Sequence, residues 1–499
     1  MSIVLMFVCL IIAFLVNFTR KTRNRRFYQL LEQFPTHPSY YPLIGNAQLL
    51  AGSLEGVLEK VEKIMKPYDR LVYWLGPLPV LVLKKFDDIS AILNQSVDRE
   101  DIDIMKEWLG TGILNAKYEE WKKSRRVLSP AFSSDMLPKY AQVFDKNASK
   151  LIDKLRNIAD NDEQTDVLDW IRNANLDSIV ENSMGMSIES CGKAGENFCY
   201  SIMEAMKQGT KRIQYPWLIP HYIYMVYAKL TGKMKNIEHL QYLPTKILKD
   251  KMKNNRVPQD ENNPNHNGIV VDSTKTIIDL LIKKSPTESG FDEMRMRDEL
   301  LLMTIGGVET TALTVSSLML MLAINQDIQQ KAYEEVTQLT TNQEGLTEDH
   351  STTDFKYLEQ CIKETLRMFS PIMVTSRRTH KEIVLKDNKV VPANMFVATL
   401  IHLANYDADL YENPDKWDPE HFSEQAVEKR PKNSQLSFGY GSRSCIGAKY
   451  AMMSIKTLII HIIRNYHLST SLKEFTKENL KTDLCIRSKI GYPIKLTSR

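Results

Sequence analysis

Apolar residues run unbroken from Ile3 to Val16, Phe18 follows Asn17, and then Arg20, Lys21, Arg23, Arg25 and Arg26 crowd together. A cleaved signal peptide carries its positive charge ahead of the apolar run and a small-residue cleavage site behind it. Here the charges come after the run, and no such site is visible. The run is short against the ~20 residues of a full span, but its basic flank belongs in the cytoplasm by the positive-inside rule. The pattern therefore predicts a signal anchor with a cytosolic body. Next comes FPTHPSYYPLIGN, with Pro35, Pro38, Pro42 and Gly45. Proline at that density keeps a chain extended and stops helices, which suits a stiff connector.

Beyond the connector the periodicity alternates between short extended runs and long helical ones. LVYWLG and VLVLKK flank Pro77-Leu-Pro79 and predict a strand pair. Asp87 and Asp88 open a short helix. From Tyr118 to about Ser187 the apolar spacing is mostly helical, and the polar stretch from Lys253 to Gly268 reads as an exposed loop. Met294 to Asn325 is a long apolar helix interrupted only by GGVETT, and Lys356 to Phe369 is another helix, stopped by Pro371. EIVL and MFVATLI surround a turn at Asp387 and Asn388, and the tail beyond His467 alternates strands and turns. No internal repeat appears. The fold class expected is mainly α, a helix-rich body with small β-sheets.

Length alone, 499 residues, is compatible with two or three domains, but the motifs that matter lie on both sides of the polar loop, so that loop is not a boundary. A hydrophobic share of 43% with 25% charged residues is that of a globular protein. A net charge of +4 argues against a nucleic-acid binder, which needs a concentrated basic face. The six cysteines are scattered without a CxxC pair, so neither a zinc cluster nor a disulfide framework is indicated, and a reducing compartment follows.

Against that background FGYGSRSCIG, Phe438 to Gly447, stands out: it brackets Cys445 with glycines just ahead of a helix. Glycine permits close backbone approach, which a core cysteine does not need and a sulfur meeting something large and flat does. In GGVETT, Gly306 to Thr311, two glycines inside a helix cost up to about 1 kcal/mol each relative to alanine and open the helix face. Glu309 and Thr310 follow, an acid and a hydroxyl able to pass protons to a buried reaction; a glycine-kinked core helix is the plainer alternative. Glu364 and Arg367 share a face in KETLRMFSP, either as a solvated surface pair or as a buried pair that fixes geometry. Trp121 and Arg125 in WKKSRR share another face. An indole N–H and a guanidinium suit a carboxylate or propionate, or else a core tryptophan lies under an arginine. Arg377 and Arg443 are further candidates for the same anion.

Taken together and in this order, the motifs resemble those of the cytochrome P-450 superfamily. FGYGSRSCIG matches its cysteine-loop pattern F-x-x-G-x-R-x-C-x-G at all five fixed positions; GGVETT resembles its oxygen-activation motif, E-T-L-R its charged helix motif, and WKKSR its propionate site. WDPEHF resembles its meander motif, except that His421 stands where the family usually has arginine. WKKSRRVLSPAF and CIGAKYAMMSIK are similar to the fatty-acid-hydroxylase clan, most of all its insect members, and the anchor and proline segment resemble those of microsomal members.

The resemblance implies a cytochrome P-450 fold divided into an anchor over 1–19, a basic, proline-rich hinge over 20–46 and a haem-binding catalytic domain over 47–499. It implies Cys445 as thiolate ligand to haem iron, with Gly441 and Gly447 letting backbone N–H groups approach the sulfur. Trp121, Arg125, Arg377 and Arg443 would meet the propionates, with Phe438 and Gly306 also against the haem. Glu309 and Thr310 would serve catalysis on its oxygen-binding face. Glu364, Arg367 and His421 would be structural. Many clan members carry glutamate at the position of Gly306, where it can form an ester to the haem. Glycine cannot, so a non-covalent haem b is expected.

The expected function is a monooxygenase in the endoplasmic reticulum membrane that inserts one atom of O2 into a hydrophobic, lipid-like or xenobiotic substrate. Its electrons come from NADPH through a separate flavoprotein reductase, because the chain has no GxGxxG or flavin module of its own. Two alternatives stand beside it: a haem-thiolate isomerase or dehydratase working without O2, and a haem protein that only binds a hydrophobic ligand. The substrate is not readable from the sequence.

Overall fold

The computed structural model describes residues 24–39, 41, 45–50, 56–76, 78–99, 105–161, 163–218, 220–254, 276–285, 291–340 and 355–499. The apolar run 3–16 and most of the polar loop 253–268 lie outside the described residues. The described part of the hinge contains a short helix, Arg25–Leu31. The chain after it lies along a strand, since Val72 N–H donates to the Pro35 carbonyl and Trp74 N–H to the Asn46 side chain.

A mixed sheet of four strands sits on one side: β1 (Arg70–Leu75), β2 (Leu78–Leu83), β3 (Thr375–Arg378) and β4 (Phe396–Thr399), in the order β1-β2-β4-β3. β1 and β2 form the antiparallel pair expected around the prolines, with Arg70 opposite Leu83. β2 runs parallel to β4, and β3 antiparallel to β4, with Arg377 opposite Val397. The two runs around Asp387-Asn388 do not pair with each other as a simple hairpin. Ile383–Val384 pairs with Val390–Val391, and the MFVATLI run supplies β4 instead. Asn388 takes the left-handed conformation at φ 65° that the tight turn requires.

The helical body is built around five helices that matter for the site: α1 (Tyr118–Leu128), α2 (Leu168–Met184), α3 (Glu293–Ile324), α4 (Lys356–Met368) and α5 (Ala448–Asn465). At 1.5 Å per residue the 32 residues of α3 extend about 48 Å. Its middle and end are apolar because most of its sides are covered: α2, α4, α5 and the helix Lys233–Asn254 pack against it. It is long and apolar enough to cross a membrane, but its most apolar stretch is buried inside the protein, so it is a core helix. Asp292 caps its start, accepting from Arg295 N–H at 2.8 Å. GGVETT does not interrupt α3; the helix runs through it. Neighbouring helices on most sides supply enough packing to outweigh the propensity cost of two glycines.

Candidate active site

Cys445 occupies the loop between a short 3-10 turn, Gly441–Arg443, and the start of α5. The loop is shaped by its own backbone: Cys445 N–H donates to the Phe438 carbonyl at 2.7 Å, and Ser444 N–H to Gly441. Gly441 has φ +72°, and a Cβ there would sit 2.4 Å from the Leu93 carbonyl oxygen. No other residue fits without moving backbone. Gly441 thus lets the loop pass close to the Leu93 backbone. Gly447 does approach the sulfur, its N–H donating to Cys445.

Cys445 has accessible surface although protein mass surrounds it. The surrounding mass governs its electrostatics, so burial pushes the thiol pKa up, against the opposing pull of the Gly447 N–H and the Arg125 guanidinium. An accessible sulfur in a glycine-shaped loop suits contact with a flat group.

α1 delivers cations to the same loop. Arg125 Nη1 donates to the Ser444 carbonyl at 2.9 Å. Arg443 lies 4.5 Å over the Trp121 ring, and its guanidinium donates to the carbonyls of Ile113 and Ala116 at 3.3 and 2.6 Å. The fold therefore brings Trp121, Arg125, Arg443 and Cys445 together from two distant segments. Arg377 arrives separately, buried on β3, where Nη1 donates to the Ser376 carbonyl at 2.7 Å and to Thr375 Oγ1 at 3.2 Å. Phe438 is half-buried against the main apolar core.

On α3 the motif divides. A Cβ at Gly306 would meet nothing within 4 Å, so this face of the helix borders open space. Thr310, one turn on, lies on the same side and donates its hydroxyl to the Gly306 carbonyl at 2.8 Å. Glu309 is about 100° further round the helix and turned inward, where Arg172 of α2 grips it with Nε at 2.7 Å and Nη2 at 3.2 Å. Glu309 and Thr310 thus point about 100° apart around α3, as adjacent helical residues do. Arg172 and its neighbour Asn175 had no motif to announce them; only the facing of two helices shows them.

The charged motif of α4 is the buried kind. Glu364 and Arg367 have no accessible surface and form two hydrogen bonds, at 2.7 and 2.8 Å. Arg367 also donates to the carbonyls of Asn405, Pro414 and Lys416, which pins the meander to α4. Glu364 further accepts from Asp418 N–H at 2.8 Å and faces His421 Nδ1 at 3.0 Å. The other ring nitrogen of His421 lies 2.5 Å from the Glu412 carbonyl. A carbonyl and a carboxylate are both acceptors, so an imidazolium, with a proton on each ring nitrogen, is the form that satisfies both contacts. Burial disfavours that charge, but Glu364 and the Glu412 carbonyl outweigh it and raise the His421 pKa. Burial likewise disfavours the Glu364 carboxylate, and Arg367 with His421 holds its pKa below the ordinary value.

Comparison with known proteins agrees with this geometry. The family model described as Cytochrome P450 matches residues 35–495. Cytochrome P450 4g15 of Drosophila melanogaster is 23% identical over 95% of this chain and 93% of its own length. Probable cytochrome P450 4e1 of the same fly is 26% identical over 89% of this chain and 83% of its own. Human cytochrome P450 4V2 is 23% identical over 95% of this chain and 91% of its own. Matched over nearly its whole length by the family model, the chain belongs to the cytochrome P450 family and is a monooxygenase whose haem iron is held through a cysteine thiolate.

Proposed function

We propose that Cys445 is the thiolate ligand and that the protein hydroxylates an apolar substrate at the membrane of the endoplasmic reticulum. The observation that carries this is the convergence at one loop of Cys445, a Gly447 N–H aimed at its sulfur, and Arg125 and Arg443 beside Trp121. Bound haem supplies the activation of O2 and the insertion of one oxygen atom into a C–H bond. The chain's own residues hold and serve it. Arg125, Arg443, Trp121 and Arg377 would take the two propionates, with Phe438 against the ring. The Gly447 N–H tempers the donor strength of the sulfur. Gly306 leaves the opposite side clear, and its lack of a carboxylate leaves haem b without a covalent tether. Thr310 presents a hydroxyl there, and Glu309 waits behind it as the acid; together they handle protons.

The substrate is read as hydrophobic, lipid-like or xenobiotic. Ile372 and Val374, which precede β3, remain exposed despite being apolar, which suits a lipid-like ligand. Electrons come from NADPH through a flavoprotein reductase docking by charge. Lys122, Arg126 and Lys449 are exposed and suit that role. Lys456, two turns further along α5, does not: it is buried and paired with Glu359 at 2.6 Å. The division into an anchor over 1–19, a hinge over 20–46 and a catalytic domain over 47–499 completes the reading.

The test is Cys445→Ser. Loss of the red-shifted Soret band of the reduced CO complex, together with loss of lipid hydroxylation by enzyme, reductase and NADPH, is expected. A variant that kept the band would show another ligand.

A further inference from the structure

Between the short helix Lys106–Leu109 and α1 runs the stretch Gly110-Thr111-Gly112-Ile113-Leu114. It is seated on two adjacent carboxylates of α3. Asp298 Oδ2 accepts from Thr111 N–H at 2.9 Å, and Glu299 Oε2 accepts from Ile113 N–H at 2.9 Å. Both glycines fit the loop to those acids. A Cβ at Gly110 would collide with the Asp298 carboxylate, and one at Gly112 would sit 2.8 Å from Glu299 Oε2. Gly110 also has φ +68°, a conformation glycine adopts freely. Asn115 braces the loop from within, accepting from Gly112 N–H at 2.9 Å and donating to the Gly110 carbonyl at 3.1 Å. Arg443 donates to the carbonyls of Ile113 and Ala116. Ile113 is therefore held at its N–H by α3 and at its carbonyl by the cysteine loop.

Stability alone does not account for this seat. Both carboxylates are buried, and burial pushes their pKa values up against the pull of Arg297 on Asp298 and of Arg295 on Glu299. Charges sunk into protein gain little over apolar packing, so they serve here to fix geometry. Their place on α3 says which geometry. Glu299 and Gly306 are seven residues apart, about 20° short of two full turns and ~10 Å along the axis. The loop thus docks on the same stripe of α3 as the open face at Gly306. Met303 lies between the two on that stripe. Ile113 and Leu114 are half-buried against the apolar cluster that holds Leu302, Met303 and Ile305.

We propose that Glu299, seconded by Asp298, is a positioning residue for substrate selection: the two carboxylates fix the 110–114 loop so that Ile113 and Leu114 close the apolar space beside Gly306 and limit the length of chain that lies there. The proposal rests on the reading that an apolar substrate occupies the open side of α3 at Gly306.

The experiment uses holoenzyme and a series of n-alkylimidazoles from butyl to dodecyl. The imidazole ligates the haem iron and its tail enters the apolar space, so the Soret shift reports affinity against chain length without turnover. In wild type each methylene that meets an apolar wall should gain up to roughly fourfold, with a fall in affinity once the tail exceeds the fixed loop. In Glu299→Leu, which leaves the Ile113 N–H without its acceptor, that fall should shrink by at least about fourfold, the worth of one methylene. Glu299→Gln keeps an acceptor oxygen and should keep the wild-type fall. Amide hydrogen exchange gives a second readout. Ile113 should exchange at least about tenfold faster in Glu299→Leu, as for a lost hydrogen bond to a charged group, and at the wild-type rate in Glu299→Gln. If Glu299→Leu does not accumulate as holoprotein, Gly112→Ala, which drives the loop off Leu302 and Glu299, carries the same expectations. An unchanged length profile despite faster Ile113 exchange overturns the proposal, as does unchanged exchange. A lower melting temperature or haem content with an unchanged profile also overturns it, leaving the two acids structural. A wild-type profile with no fall anywhere in the series shows that the loop limits nothing. Failure of the proposed function is read elsewhere, in the CO band of Cys445→Ser and in hydroxylated product.

Discussion

Replacing His421 by alanine removes a cation that two acceptors share. In wild type its ring nitrogens lie 3.0 Å from the Glu364 carboxylate and 2.5 Å from the Glu412 carbonyl, and its side chain is only 12% exposed. Glu364 keeps Arg367 and the Asp418 N–H, so it is not stranded, but it loses one charge-assisted hydrogen bond, worth roughly 1.5–3 kcal/mol. A cost of about 2 kcal/mol to the meander corresponds to roughly 30-fold more frequent local opening. Since Arg367 ties the same segment to α4 next to the cysteine loop, haem loss should accelerate in step. The assay is transfer of haem to an excess of an apoprotein acceptor, with the thermal midpoint followed across pH. The sign follows from the raised His421 pKa. Its contribution is full below the unfolded value near ~6.5 and is lost as pH rises through the higher folded value. The depressed pKa of Glu364 acts at the other end, its contribution lost as pH falls below the ordinary carboxylate range. His421→Arg keeps its charge at alkaline pH, so its haem retention should equal or exceed wild type and lack the alkaline decline. Equal haem retention in His421→Ala, or the same alkaline decline in His421→Arg, would refute the reasoning.

Three further outcomes are expected. Acidified organic solvent should extract unmodified haem b, because Gly306 has no carboxylate and Glu309 points towards Arg172; Gly306→Glu, with nothing within 4 Å of its Cβ, should gain partial covalent attachment after turnover, seen as haem mass retained on the denatured chain. Reversing Lys122 and Lys123 to glutamate should slow reduction by reductase severalfold at low salt and spare peroxide-driven turnover, and a parallel fall in both rates would point to folding instead. Gly441→Ala should destabilise the cysteine loop by at least about 1–2 kcal/mol from its positive φ alone, with the clash against Leu93 adding to it, and should show as a lowered melting temperature and lower haem content.

Local order along the chain determined a good deal. The strand pair around Pro77 and Pro79, the helices carrying WKKSRR and KETLRMFSP, and the long apolar helix over GGVETT all follow from periodicity, which depends only on neighbours in sequence. The glycines around Cys445 marked a loop built for close approach, since a left-handed backbone and a missing Cβ are written in residue type. Tertiary structure decided what depends on distant partners. Spacing left Glu364 and Arg367 open between surface and core, and only the packing of the meander over α4 buried them. It could not place both acceptors around His421, because Glu412 and Glu364 come from different elements. It could not show that Lys456 is buried against Glu359 while Lys449, two turns earlier on α5, is exposed. It named Glu309 but not Arg172, the partner that holds it from 137 residues away in sequence. Periodicity says which residues share a face; only the assembled fold says what that face meets.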